Sequence, residues 1–120
     1  MSLTEELKAL GADTEEGLER VMGDGPLYET MLGMFLDTLR DNPIALEEFE
    51  EEDREALIRK VHLLKGTTGN LALTPLFTGY NNALQLLRSG SGSEARAELE
   101  RILPVQEQFT DCIRRHITGA

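Results

Sequence analysis

Two side chains near the middle of the chain have the types and the spacing to carry chemistry. His62 and Lys65 lie three residues apart in the segment RKVHLLKGTTGNLAL, residues 59–73. In a helix, that spacing places both side chains on one face. An exposed imidazole is a nucleophile that is largely neutral at pH 7, and an ammonium group beside it can balance the charge of phosphate oxygens. The pair is therefore suited to accepting a phosphoryl group.

Two glycines extend the same face. Gly66 and Gly69 follow His62 at helical spacing, and Ile58 lies one turn before it. Two glycines inside a helix cost on the order of 2 kcal/mol relative to alanine. Close helix packing would explain them, but we expect no partner helix on this face. The two glycines therefore predict an uncovered stretch of backbone that lets another molecule approach His62.

The segment must be helical for this arrangement to exist, and its core-forming residues predict that it is. They recur at helical spacing without a break at Leu57, Val61, Leu64, Thr68 and Leu71. At roughly 100° per residue, His62 lies roughly 140° from the middle of that stripe. The pattern predicts a helix from Asp53 to about Leu71, with His62 facing solvent.

Three other kinds of site are disfavoured. KGTTGN places Lys before Gly and follows no strand, whereas a phosphate-binding loop needs a strand and then Gly-Lys-Ser/Thr. A metal site needs several converging ligands. The only other histidine, His116, lies near the end of the last predicted helix, where it complements the helix dipole. We therefore expect no metal site, and no oriented base marks a Ser/His/Asp hydrolase.

The rest of the chain predicts an all-α fold, an antiparallel up-and-down four-helix bundle with short N-terminal helices. Ser2 and Asp13, each followed by Glu three residues later, predict the two short helices. Pro26 is predicted in the first turn of a helix, and Pro43 is predicted to kink or divide that helix. Turns are predicted around Thr74-Pro75 and at residues 88–93, and a bend is predicted at Pro104. A single domain over residues 1–120 is expected.

Composition limits the partners. The net charge is −10, which disfavours nucleic acid and anionic membranes, because both are bound through clustered Lys and Arg. The single cysteine, Cys112, excludes an internal disulfide and fits a small core residue. No apolar run approaches the ~18 residues of a membrane span, and no signal peptide opens the chain. We expect a cytoplasmic protein.

The segment around His62 resembles the histidine-containing phosphotransfer (HPt) domains of multistep phosphorelays. It matches the family pattern H-x-L-K-G-x-x-x-N-[ILV] at His62, Leu64, Lys65, Gly66, Gly69, Asn70 and Leu71. The likeness continues upstream through GLERVMGDGPLYETMLGMFLDTL and covers most of the chain. Two positions depart from the family. Many members have Gly where Ala72 stands, and a frequent Leu-Glu pair corresponds to Leu84-Gln85, with one residue inserted near Thr74-Pro75.

The resemblance implies a phosphoryl carrier without an ATP site, not an enzyme. His62 would accept the phosphoryl group through Nε2 from an aspartate of a response-regulator receiver domain, and Lys65 would stabilise the phosphate charge. The receiver would supply Mg²⁺, so no cofactor is expected on this chain. The expected docking face comprises Ile58, Arg59, Gly66, Gly69, Leu73 and Gln85. A solvated charge without a docking role is an equal alternative for Arg59.

Several alternatives remain open at this stage. The chain is either a stand-alone monomer or a domain of a larger sensor kinase, and the opening Met-Ser-Leu fits a cloning remnant. A histidine kinase, in cis or in trans, is a further partner. A chemotaxis-type kinase would instead use the domain as acceptor from ATP through a separate catalytic domain. A helical adaptor that binds receivers without phosphotransfer is the third alternative.

Overall fold

The computed structural model describes residues 2–44 and 54–118, and every regular element in these ranges is an α-helix. The helices are α1 (Leu3–Ala9), α2 (Thr14–Arg20), α3 (Gly25–Asp41), α4 (Arg54–Asn70), α5 (Thr74–Arg88) and α6 (Gly92–Thr118). The predicted all-α fold class is therefore confirmed, including the two short opening helices.

The first three helices begin at side-chain caps. The Ser2 side chain accepts a hydrogen bond from the Glu5 amide, and the Glu5 carboxylate accepts one from the Ser2 amide, which completes the predicted capping box. Asp13 caps α2 by accepting from the Glu16 amide at 3.1 Å. Asp24 caps α3 in the same way, with Pro26 in the first turn as predicted.

The segment that holds His62 is one uninterrupted helix. α4 continues through Gly66 and Gly69 and ends at Asn70. The predicted core stripe is buried along its whole length, at Leu57, Val61, Leu64, Thr68 and Leu71. Packing of this stripe outweighs the low helix propensity of the two glycines. The predicted start of this helix, Asp53, lies outside the described residues.

The three helix interruptions predicted at prolines have three different outcomes. Thr74-Pro75 is not a turn, because α5 begins at Thr74 and Pro75 occupies its first turn, where a missing amide hydrogen breaks no bond. The turn between α4 and α5 lies at residues 71–73 instead. α3 ends at Asp41, two residues before Pro43, as a division there predicted. α6 continues as helix through Pro104.

The helices share one hydrophobic core. α5 packs against both α4 and α6, and α3 contacts α4 and α6 more sparingly. The short helices close the core from one side, α1 against α6 and α2 against α3. Cys112 is buried on α6, as predicted, and burial raises the pKa of its thiol to about 11. No helix within the described ranges is long and apolar enough to cross a membrane.

Candidate functional site

His62 lies near the middle of α4 and faces solvent. Its neighbours Val61 and Leu64 are fully buried, while the His62 side chain is exposed. The orientation follows from the stripe of core residues, because a side chain opposite that stripe cannot reach the core. The imidazole is therefore accessible to a partner molecule, as the sequence predicted.

The backbone one turn after His62 is uncovered. Among the residues that the structure describes, no heavy atom beyond its own helix lies within 4 Å of an ideal Cβ placed on Gly66. Lys65, beside it, is half-buried and belongs to the same face. A partner can thus contact the main chain of α4 at Gly66, with an ammonium group one residue away.

Gly69 has a different environment, and the expectation that no helix packs beside it was wrong. A Cβ on Gly69 would lie 3.4 Å from Cδ2 of Phe77, which belongs to α5. Gly69 is half-buried, and its missing side chain lets Phe77 approach α4 closely. Only Gly66 therefore offers fully open backbone next to His62.

An open groove of about 440 Å³ adjoins Gly66. Lys65 and Gly66 line one part of it, and Arg20 at the end of α2 lines another. Arg20 donates a hydrogen bond to the Gly69 carbonyl and pairs with Glu16 at 2.5 Å. The groove therefore combines Lys65 with an Arg20–Glu16 ion pair from a distant part of the chain. Arg20 was not predicted, because nothing local to α2 signals a contact with a residue 49 positions away.

The end of α4 explains why one predicted docking residue is not on the surface. The Leu73 amide donates to the Thr68 carbonyl at 2.9 Å and the Ala72 amide to the Gly69 carbonyl at 3.1 Å, which is the Schellman arrangement. Ala72 takes the left-handed conformation with φ +57°. The reversal of the chain turns Leu73 into the core, where it is 0 % exposed. The assignment of Leu73 to the docking face was therefore wrong.

Two further carbonyls at this helix end have partners from the N-terminal segment. The buried hydroxyl group of Tyr28 donates to the Leu71 carbonyl at 2.7 Å, and the Asp13 amide donates to the Ala72 carbonyl at 2.9 Å. Burial, with a smaller effect of the Asp13 charge, raises the pKa of Tyr28 to about 12, so its hydroxyl remains a donor. The C-terminal end of α4 is thus fixed relative to α2 and α3.

The remaining predicted docking residues are placed as follows. Arg59 and Gln85 are exposed, on α4 and α5 respectively. Ile58 is half-buried and packs against the core, so part of its side chain remains available at the surface. Their docking roles stay predictions.

One cluster within the described residues could hold a metal ion, and it does not include His62. It consists of Glu6, Cys112 and His116, whose ligating atoms lie within 4.8 Å of one another. The prediction of no metal site, which was based on the distance between the two histidines along the sequence, stays a prediction. The approach of the Glu6 carboxylate on α1 to the end of α6 was not foreseen.

Comparisons with known protein families, with curated proteins and with solved structures give no match.

Proposed function

We propose that this chain is a phosphocarrier of the HPt type, which accepts a phosphoryl group on His62 from the aspartate of a receiver domain and passes it to another. The observation that carries the proposal is the exposed imidazole of His62 at the middle of a rigid helix, one turn from the open backbone of Gly66. A nucleophile that must enter another protein's active site needs this kind of clearance.

The chemistry requires little from the chain itself. The lone pair of Nε2 of His62 attacks phosphorus, the P–N bond forms, and the bond from phosphorus to the aspartyl oxygen breaks. The electron pair of that bond leaves with the aspartate, which becomes a free carboxylate. Mg²⁺ held by the receiver balances the charge of the transferring group, and Lys65 adds a positive charge from this side.

We propose that α3–α6 form the antiparallel up-and-down four-helix bundle that the family pattern implies. The short connections between α4, α5 and α6 support this, because helices joined by a few residues pack antiparallel as neighbours. The packing of α5 between α4 and α6 also fits. In such a bundle, α4 presents its outer face, with His62, to the partner.

Docking is local in this proposal. The chain carries a net charge of −10, and a receiver's active site is itself acidic, so long-range attraction does not favour the encounter. The apolar surface of Ile58 and the positive charges of Arg59 and Lys65 then provide the complementarity, with Gln85 at the margin. A monomeric, cytoplasmic carrier with no cofactor at the His62 face is consistent with this scheme.

Transfer from a phosphorylated receiver domain tests the proposal. Wild-type chain mixed with a ³²P-labelled receiver should acquire label that survives alkali and is lost in acid, as a phosphohistidine is. His62→Gln, which is exposed and should leave the unfolding curve unchanged, should acquire none. Equal labelling of this variant would refute the proposal.

The same assay separates the alternatives. Labelling by a kinase catalytic domain and ATP, with no transfer from any receiver, would indicate an acceptor domain of the chemotaxis type. Stable binding of a receiver without labelling of His62 would indicate an adaptor.

A further inference from the structure

Three side chains with different ligating atoms converge between α1 and α6. Oε2 of Glu6 lies 3.4 Å from Sγ of Cys112 and 2.5 Å from Nε2 of His116. All three ligating atoms lie within 4.8 Å of one another. A carboxylate, a thiol and an imidazole at such distances form the donor set that zinc prefers in proteins.

The fold places these groups together through two constraints. Cys112 and His116 are four residues apart on α6, so their side chains lie one above the other on the same face. Leu3 and Leu7 are buried and fix α1 against α6, which holds Glu6 over that face.

The two distances from Oε2 of Glu6 fit a tetrahedral ion after one small adjustment. Ligand atoms about 2.1 Å (N, O) and 2.3 Å (S) from Zn²⁺ lie about 3.4–3.6 Å apart in a tetrahedron. The separation of Glu6 and Cys112 already has this value, whereas Nε2 of His116 must move away from Oε2 by about 1 Å. The His116 side chain is 26 % exposed near the end of α6, so its ring has access to solvent for that movement.

The surroundings leave the site open on one side. A groove of about 430 Å³ is lined by Glu6 and Cys112 together with Asp111 and Arg115. Arg115 approaches Oε1 of Glu6 at 3.7 Å and leaves Oε2 to the other two groups. The groove provides an entry path for the ion and room for a water molecule as fourth ligand.

We propose that Glu6, Cys112 and His116 bind a zinc ion that joins α1 to α6. The thiol proton of Cys112 is released to solvent on binding, and the sulfur coordinates as thiolate. Soft sulfur and imidazole ligands select Zn²⁺ over Mg²⁺ or Ca²⁺. The inference does not depend on the phosphocarrier proposal, because none of its residues belongs to the face around His62.

Cobalt titration of the reduced, tag-free 120-residue chain tests the proposal. Co²⁺ should produce a near-ultraviolet thiolate-to-metal charge-transfer band and the visible bands of tetrahedral cobalt, and Zn²⁺ should abolish both. Zn²⁺ should also raise the midpoint of thermal unfolding, because an ion that binds only the folded state stabilises it. Cys112→Ser should lose the charge-transfer band.

Two surface variants keep the test decisive if the buried serine prevents folding. Glu6→Gln preserves the shape of a half-buried side chain, and His116→Ala removes a half-buried ring. Each should weaken cobalt binding by about tenfold or more, since loss of even an outer-shell partner costs about 10–100-fold. His62→Gln, the matched control, should bind cobalt like the wild type. Absence of the charge-transfer band at millimolar Co²⁺, or a band unchanged by both surface variants, would overturn the proposal.

Discussion

The hydroxyl group of Tyr28 donates a hydrogen bond of 2.7 Å to the backbone carbonyl of Leu71, joining α3 to the end of the helix that carries His62. Tyr28 is 1 % exposed, so water cannot replace it as donor. Tyr28→Phe should therefore lower the free energy of unfolding by about 1–3 kcal/mol, the cost of leaving a buried acceptor unsatisfied. Urea denaturation followed by circular dichroism measures it.

Tyr80→Phe is the matched control for this prediction. The Tyr80 hydroxyl bonds the side-chain carbonyl of Gln106, which is only half-buried and can turn to water when the donor is removed. Removal of the Tyr80 hydroxyl should lower the free energy of unfolding by less than removal of the Tyr28 hydroxyl does. An equal cost would show that satisfaction of the Leu71 carbonyl is not what Tyr28 contributes.

Stability should also fall at alkaline pH. Burial raises the pKa of Tyr28 from 10.0 to about 12, so the unfolded chain loses this proton at a lower pH than the folded chain does. The contribution is complete below pH 10 and is lost as pH rises towards 12. Burial shifts the pKa of Tyr80 in the same direction. Denaturation between pH 9 and 12 should show a shallower decline for Tyr28→Phe than for wild type; identical slopes would contradict this.

Three helical glycines should respond differently to alanine, although each gains about 1 kcal/mol of helix propensity. Gly66→Ala should stabilise by about that amount, because nothing lies near the added methyl group. Gly69→Ala should gain less, because the methyl group meets Phe77 at 3.4 Å. Gly79→Ala should destabilise, because Cδ1 of Ile102 lies 2.6 Å from the new atom. Thermal unfolding of the three variants should reproduce this order.

A bulkier residue at Gly66 separates stability from docking. Gly66→Leu should keep the helix and slow phosphotransfer from a receiver, since its side chain would cover the backbone next to His62. Gly25→Leu on α3 is the control, because an added Cβ is equally open there. Normal transfer to Gly66→Leu would mean that the uncovered backbone has no role in docking.

Lys65→Ala should slow phosphoryl transfer by about 10- to 160-fold, because a charge-assisted hydrogen bond contributes about 1.5–3 kcal/mol and each 1.36 kcal/mol is tenfold in rate. Lys8→Ala on α1 removes an exposed lysine with the same change of net charge and should transfer at the wild-type rate. Single-turnover transfer at saturating receiver separates this effect from weaker docking. If both variants transfer equally fast, Lys65 does not stabilise the phosphate.

Glycine substitution at the two residues with positive φ should stabilise the protein to different extents. Met22 and Ala72 both have φ +57°, a conformation that favours glycine. Met22 is 95 % exposed, so Met22→Gly should stabilise by about 1 kcal/mol. Ala72→Gly should gain less, because its methyl group is buried and removing it costs about 0.8 kcal/mol. Equal gains in the two denaturation curves would contradict this account.

Helical periodicity was sufficient to predict α4 and the outward direction of His62. Both follow from the core residues between Leu57 and Leu71, which recur at helical spacing and define the buried face of the helix. Periodicity did not decide the position of Leu73, which was assigned to the docking face as an apolar contact and is buried instead. The Schellman reversal at Ala72 changes the direction of the chain, and an alanine there gives no local signal of positive φ.

Contacts between distant segments were not predictable from local pattern. Arg20 reaches the Gly69 carbonyl, and Glu6 reaches Cys112 and His116, only after the helices have packed. Periodicity fixes which face of a helix is buried but not which helix covers it. The same limitation explains why Phe77 beside Gly69 was not foreseen.

The three carbonyls at the end of α4 that bind Arg20, Tyr28 and the Asp13 amide have a kinetic consequence. The Arg20 and Tyr28 contacts join residues 49 and 43 positions apart, so each closes a long loop of chain before it contributes any stability. We therefore expect the last turn of α4 to be completed late in folding, together with the opening segment. Amide hydrogens there should exchange with solvent when both segments open as one cooperative unit. The helix that presents His62 is thereby protected from independent fraying by the first quarter of the chain.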